Sequence, residues 1–173
     1  MSKLNLNIPR MGYFILYKHT GDLFGRAIEK RQQLAGIAPD LACFSHIEVS
    51  GGEEYAINIS PPVSKLVKIT EAHKDRYIKI VRYKNAVYEQ KGRYKVAYFS
   101  ATLCNKAYDF GGILAFVFKW FTQNNRLWFC SEGAAWALQK EYPGAFGGKK
   151  PNEIMPAYFL GNEFETIWEG IIE

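Results

Sequence analysis

Cysteine is scarce in this chain of 173 residues, occurring only as Cys43, Cys104 and Cys130. An odd count with no CxxC pair excludes a disulfide framework and a cysteine-ligated zinc site, and it suits a reducing compartment. No metal site and no cofactor are expected. Long apolar runs are also missing. The longest, residues 110–118, is cut by Lys119 and falls well short of the ~20 residues that span a bilayer, so it reads as a buried helix with no transmembrane segment. The first residues, with Lys3, Asn5, Asn7 and Pro9, lack the continuous apolar core of a secretory signal, and a cytoplasmic chain is expected. Internal repeats and low-complexity tracts are absent.

What the chain does contain is core material. Hydrophobic residues make up 48% and charged residues 23%, enough apolar surface to fold and too little charge for general disorder. At this length one catalytic-sized domain over residues 1–173 is expected. The formal net charge is only +5, but lysines and arginines crowd between Lys65 and Lys95. Such a stretch can attract nucleic acid, an acidic polymer or an anionic membrane surface, or it can be the solvated face of strands and a helix. No nucleic-acid motif accompanies it.

The apolar run from Gly12 to Tyr17 predicts a strand, and Asp22 caps a helix over Leu23–Leu34 that Gly36 closes. Residues 43–49 and 55–59 predict a β-hairpin around a Ser50-Gly51-Gly52-Glu53 turn. Residues 63–69 and 77–83 alternate basic with apolar side chains and predict two more strands. A helix is expected over 93–103, with Val96, Phe99, Ala101 and Leu103 inward, and Asp109 is placed to cap a helix over 110–121. Residues 126–129 predict a short strand that enters an alanine-rich helix beginning at Cys130. Beyond Pro143, glycine and proline punctuate the chain; one helical turn is expected after Pro151, and the last segment has no clear pattern.

Three positions carry the chemistry. Cys130 opens a helix, where the positive end of the dipole and unbonded amides favour a thiolate; the competing role of a lone cysteine is a small buried hydrophobe, and Cys43 and Cys104 are assigned to it. His46, in the first arm of the hairpin, is the expected base, and His19 and His73, in polar surroundings, are weaker choices. Asn58 lies twelve residues beyond His46, so a symmetric hairpin puts it nearly opposite on the same face, within reach to orient the imidazole. Glu48, two residues along on that face, is the alternative orienting group.

Taken together, Ser45-His46-Ile47-Glu48-Val49, the Tyr55-to-Pro62 segment, Tyr108-Asp109-Phe110 and Phe129-Cys130-Ser131-Glu132 resemble the circularly permuted NlpC/P60 group of papain-like proteins. That group includes YiiX-like enzymes, lecithin:retinol acyltransferase-like proteins and small phage-encoded members. The resemblance covers residues 12–160, and the aromatic-Cys-Ser-Glu helix start is its most specific piece. It implies an α+β papain-like fold in which an antiparallel sheet packs against the helix bearing the cysteine. By position it makes Cys130 the nucleophile, His46 the base and Asn58 the third polar residue, with Tyr108 and Glu132 as supporting positions. The implied activity is a cysteine amidase or peptidase working through an acyl-enzyme, on a peptide, peptidoglycan or lipid acyl substrate. The alternatives are a lipid acyltransferase or thioesterase of the same fold, with residues 110–121 lining an acyl groove, or a catalytically idle basic module associated with a phage particle. A phage origin would place the chain in a virion or in host cytoplasm.

Overall fold

The computed structural model describes residues 9–109 and 128–172. The helix expected over 110–121, with its Asp109 cap and acyl-groove role, lies outside them, as do the first two residues of the 126–129 strand. Six strands form one sheet: β1 (Phe14–Lys18), β2 (Phe44–Gly52), β3 (Tyr55–Asn58), β4 (Lys65–Lys68), β5 (Tyr77–Tyr83) and β6 (Phe164–Ile171). Their order is β4-β3-β2-β1-β5-β6, and every neighbouring pair is antiparallel. β1 sits in the interior of the sheet and is covered on both faces: Phe14, Ile15, Leu16 and Tyr17 are all fully buried. Burying such side chains stabilises by about 1.5–3 kcal/mol each, which explains an almost uninterrupted apolar strand.

Helix α1 (Leu23–Leu34) begins where the sequence predicts, with Asp22 accepting a 2.8 Å hydrogen bond from the Gly25 amide. Its buried Gln32 ties three elements together. The side-chain amide donates to the carbonyls of Ala42 (2.6 Å) and Phe44 (3.0 Å), and its oxygen accepts from the Ala157 amide (2.8 Å). The loop expected through Pro39 instead ends at Ala38, and Pro39 opens a single helical turn, α2 (Pro39–Ala42). Two further departures follow from local propensity. The strand expected over 63–69 is shortened to β4 because Ile69-Thr70-Glu71-Ala72 form a helical turn, α3 (Ile69–Ala72). The helix expected from residue 93 is entered through a π-helical turn, Tyr88–Gly92, and runs as α4 (Arg93–Ala101). Val96 and Leu103 are inward as expected, while Phe99 is half-buried and Ala101 is exposed; Ala97 and Ser100 take the buried positions instead.

Helix α5 (Cys130–Glu141) packs against β2 and α4. Ala134, Ala135, Ala137 and Leu138 are all buried, and small side chains permit this close approach. Gly133 shows the same demand: a Cβ there would lie 2.3 Å from Ile59 Cδ1 and 3.0 Å from Leu103 Cδ1. The helical turn expected after Pro151 is a 3-10 turn, Pro151–Glu153, and the segment beyond it, which has no clear sequence pattern, supplies a second at Pro156–Leu160 and then the edge strand β6. Phe159 and Phe164 from this segment pack on Phe14, one tilted and one edge-on, with ring centroids 4.8 and 5.9 Å away. The fold class is therefore α+β, an antiparallel sheet with the cysteine-bearing helix packed on it.

Candidate active site

Cys130 is the first residue of α5, and no side chain caps that end of the helix. The amides left over at a helix start are then available to the sulfur. The Ser131 N–H donates to it, and so does the Ile47 N–H of β2. The second bond follows from strand geometry. Ser50 exchanges hydrogen bonds with Gly12 and Tyr13 on the β1 side, so by alternation Val49 and Ile47 direct their backbone groups towards β3. The β2–β3 ladder pairs Val49 with Ile57 and goes no further in that direction. The Ile47 amide thus lies beyond the paired part of β3 and meets the sulfur.

The side chains of His46 and Cys130 are hydrogen-bonded to each other. Burial opposes charge on both, yet the pair overrides it. Cys130 is 2% exposed, which pushes its thiol up, but the His46 charge and hydrogen bond, helped by the two amides, bring its pKa below the ordinary range. Burial likewise depresses the His46 imidazole, while the sulfur and then Glu48 raise it to about 10. The two shifts run in the directions that favour a thiolate beside an imidazolium. Both residues line a cavity of about 460 Å³, together with Asn58, Ser60, His73, Arg76 and Tyr108 on its polar side. Phe24, Ile28 and Pro61 supply its apolar side.

The carboxylate beside His46 is that of Glu48: His46 Nε2 lies 3.4 Å from Glu48 Oε1, a long contact. The expected pairing of Asn58 opposite His46 is not the observed one. The turn closes between Gly52 and Tyr55, with a bulge at Ser50/Gly52, and continuing the Val49–Ile57 register puts Asn58 across from Glu48, two residues from the expected partner. The shift is even, so Asn58 keeps the expected face and still lines the cavity. It is 7% exposed, and its Oδ1 is buried without a hydrogen-bond partner.

Tyr108 lies at the cavity beside the sulfur. Its burial, then the charges of Cys130 and Asp109, push the phenol well up, keeping it protonated. Glu132 is buried in the first turn of α5 and does not line the cavity. Sequence reasoning passed over His73. It is buried at the end of α3, with Nε2 2.7 Å from Glu48 Oε1 and its ring 4.1 Å from that of Tyr17. The polar Lys74-Asp75-Arg76 run that follows it gave no sign of burial; the only available signal was a buried Glu48 in need of donors. His19 is separate, paired with Glu29 at 2.6 Å.

Burial raises the thiol pKa of Cys43 and of Cys104, as suits inert cysteines. Within the basic stretch, Lys68 pairs with Glu54 and Glu71, Lys79 with Glu169, Arg82 with Glu165 and Glu89, and Lys95 with Glu141. Four of the ten basic side chains between Lys65 and Lys95 are thus paired with carboxylates. Among the described residues, no group of three or more His, Cys, Asp or Glu side chains is placed to hold a metal ion, and no helix is long and apolar enough to cross a membrane. Compared with known proteins, the chain matches no family model and no curated protein.

Proposed function

We propose that this chain is a cysteine-dependent hydrolase of the amidase or peptidase type, folded as a circularly permuted NlpC/P60 domain. The observation that carries the reading is the hydrogen-bonded Cys130–His46 pair at a cavity, with the sulfur at a helix start. Several features support the permuted arrangement: the histidine strand precedes the cysteine helix in the chain, the helix lies on that strand, and the sheet is antiparallel.

In the proposed reaction the Cys130 thiolate adds to a substrate carbonyl carbon, forming a C–S bond and moving the carbonyl electron pair onto oxygen. The Cys130 N–H, which has no carbonyl within its own helix, and the protonated Tyr108 phenol are the donors for that oxyanion. Collapse of the adduct breaks the bond to the leaving group, which departs with the His46 proton. His46, now neutral, takes a proton from water as the water oxygen adds to the thioester carbon; collapse of that adduct breaks the C–S bond, releases the acid and restores the Cys130 thiolate beside the His46 imidazolium. Glu48 holds the imidazolium in both half-reactions.

Incubation with a p-nitrophenyl ester tests this directly. A stoichiometric burst and an acyl mass increment on Cys130 are expected, both lost in Cys130→Ser with its thermal unfolding retained. An equal burst from Cys130→Ser contradicts the assignment.

One observation favours a second reading, in which the acyl donor is a lipid-like ester. Phe24, on the apolar side of the cavity, is 52% exposed. For a groove that buries the acyl chain, kcat/KM should rise about fourfold per added methylene, from about 0.8 kcal/mol each. A flat chain-length series, with peptide amides preferred, favours the amidase.

A further inference from the structure

Glu48 is a carboxylate with a side chain shut off from solvent. Its two shortest hydrogen bonds do not come from His46. Oε1 lies 2.7 Å from His73 Nε2, and Oε2 accepts from the Tyr17 hydroxyl at 2.7 Å; the contact to His46 Nε2 is 3.4 Å. The carboxylate is therefore placed by His73 and Tyr17, and His46 follows. His73 is itself fixed. Its amide donates to the carbonyl of Ile69, the first residue of α3, its own carbonyl accepts from the Arg76 amide, and its ring lies against Tyr17.

We propose that His73 is a positioning residue for His46, acting through the shared Glu48 carboxylate, so that the pair at Cys130 depends on a second histidine. The inference rests on the proposed function above and deepens it. A buried carboxylate that loses one donor binds its proton more readily and holds an imidazolium less firmly. The weaker hold passes to the sulfur, because thiolate and imidazolium form together. The ionisable groups facing this cluster are Cys130 and Tyr108 across the cavity and Asp22 and Arg76 on its wall. They are unchanged by a substitution at His73. The geometry also states which replacement works. The bond uses Nε2, a position that the amide nitrogen of glutamine reaches and that of asparagine does not.

The test is the pH dependence of Cys130 alkylation by iodoacetamide in the full chain, read site by site by peptide mass spectrometry, with thermal unfolding monitored. His73→Gln is expected to keep the wild-type midpoint within about 0.3 pH unit. His73→Asn is expected to raise it by about one unit, a tenfold loss of the ion pair. Wild-type behaviour in a folded His73→Asn, or equal shifts in both variants, overturns the inference while leaving the proposed function standing. A wild-type midpoint already in the ordinary thiol range overturns both.

Discussion

Replacing His46 by alanine removes the charge that holds the Cys130 thiolate, and the size of the effect follows from the site. Cys130 stays 2% exposed, and without the imidazolium its burial goes uncompensated, leaving only the Ser131 and Ile47 amides to favour the anion. The thiol midpoint should therefore move from below the ordinary ~8.5 to above it. At pH 7 a thiol with a pKa of about 8.5 is only about 3% ionised. The rate at a single pH understates this change. Each unit of pKa costs tenfold in thiolate but returns about threefold in nucleophilicity, so the net loss is only about threefold per unit. The full alkylation profile, or thiolate ultraviolet absorbance against pH, is the proper assay. Coincident midpoints for wild type and His46→Ala would refute the ion pair. The same pair sets the alkaline limit. His46 has a raised pKa, so its proton is present below about 10, and turnover that needs an imidazolium to protonate the leaving group should fall as pH rises through that value.

Asn58→Ala should leave the Cys130 midpoint unchanged, because Glu48 rather than Asn58 faces His46; a rise comparable to that of Glu48→Gln in the same titration would show that Asn58 orients the imidazole after all. Gln32→Leu should destabilise the fold by about 3 kcal/mol, since it strands two buried carbonyls and an amide. Urea unfolding checks this, and a loss under about 1 kcal/mol would mean that water replaces the side chain.

The legible parts of the fold were those written locally. Asp22 announces α1, and the alanine run after Cys130 announces α5. Asp22 accepts the Gly25 amide as a cap should, and α5 begins at Cys130 itself. The apolar Gly12–Tyr17 run yields β1, displaced to Phe14–Lys18. What stayed hidden depends on tertiary partners. The hairpin turns between Gly52 and Tyr55, later than a symmetric Ser50–Glu53 turn, with a bulge at Ser50/Gly52, and the resulting register makes Glu48 rather than His46 the partner of Asn58. β6 is an edge strand with an exposed, irregular pattern, so the period-2 signal is weak. The burial of His73 is fixed by Tyr17 and Glu48, which are 56 and 25 residues away in sequence. His46 and Glu48 were visible for the complementary reason: two ionisable side chains alternate with buried Ile47 and Val49 on an interior strand, where only a paired and useful charge is tolerated.

The three cysteines offer the most direct measurement, because exposure and activation predict opposite orders of reaction. Cys130 is almost fully buried, whereas Cys104 is partly exposed. With iodoacetamide limiting at pH 7, and the modified cysteines identified by peptide mapping, Cys130 should be alkylated first and Cys43 and Cys104 should lag far behind. Preferential alkylation of Cys104 would contradict an activated thiolate at Cys130.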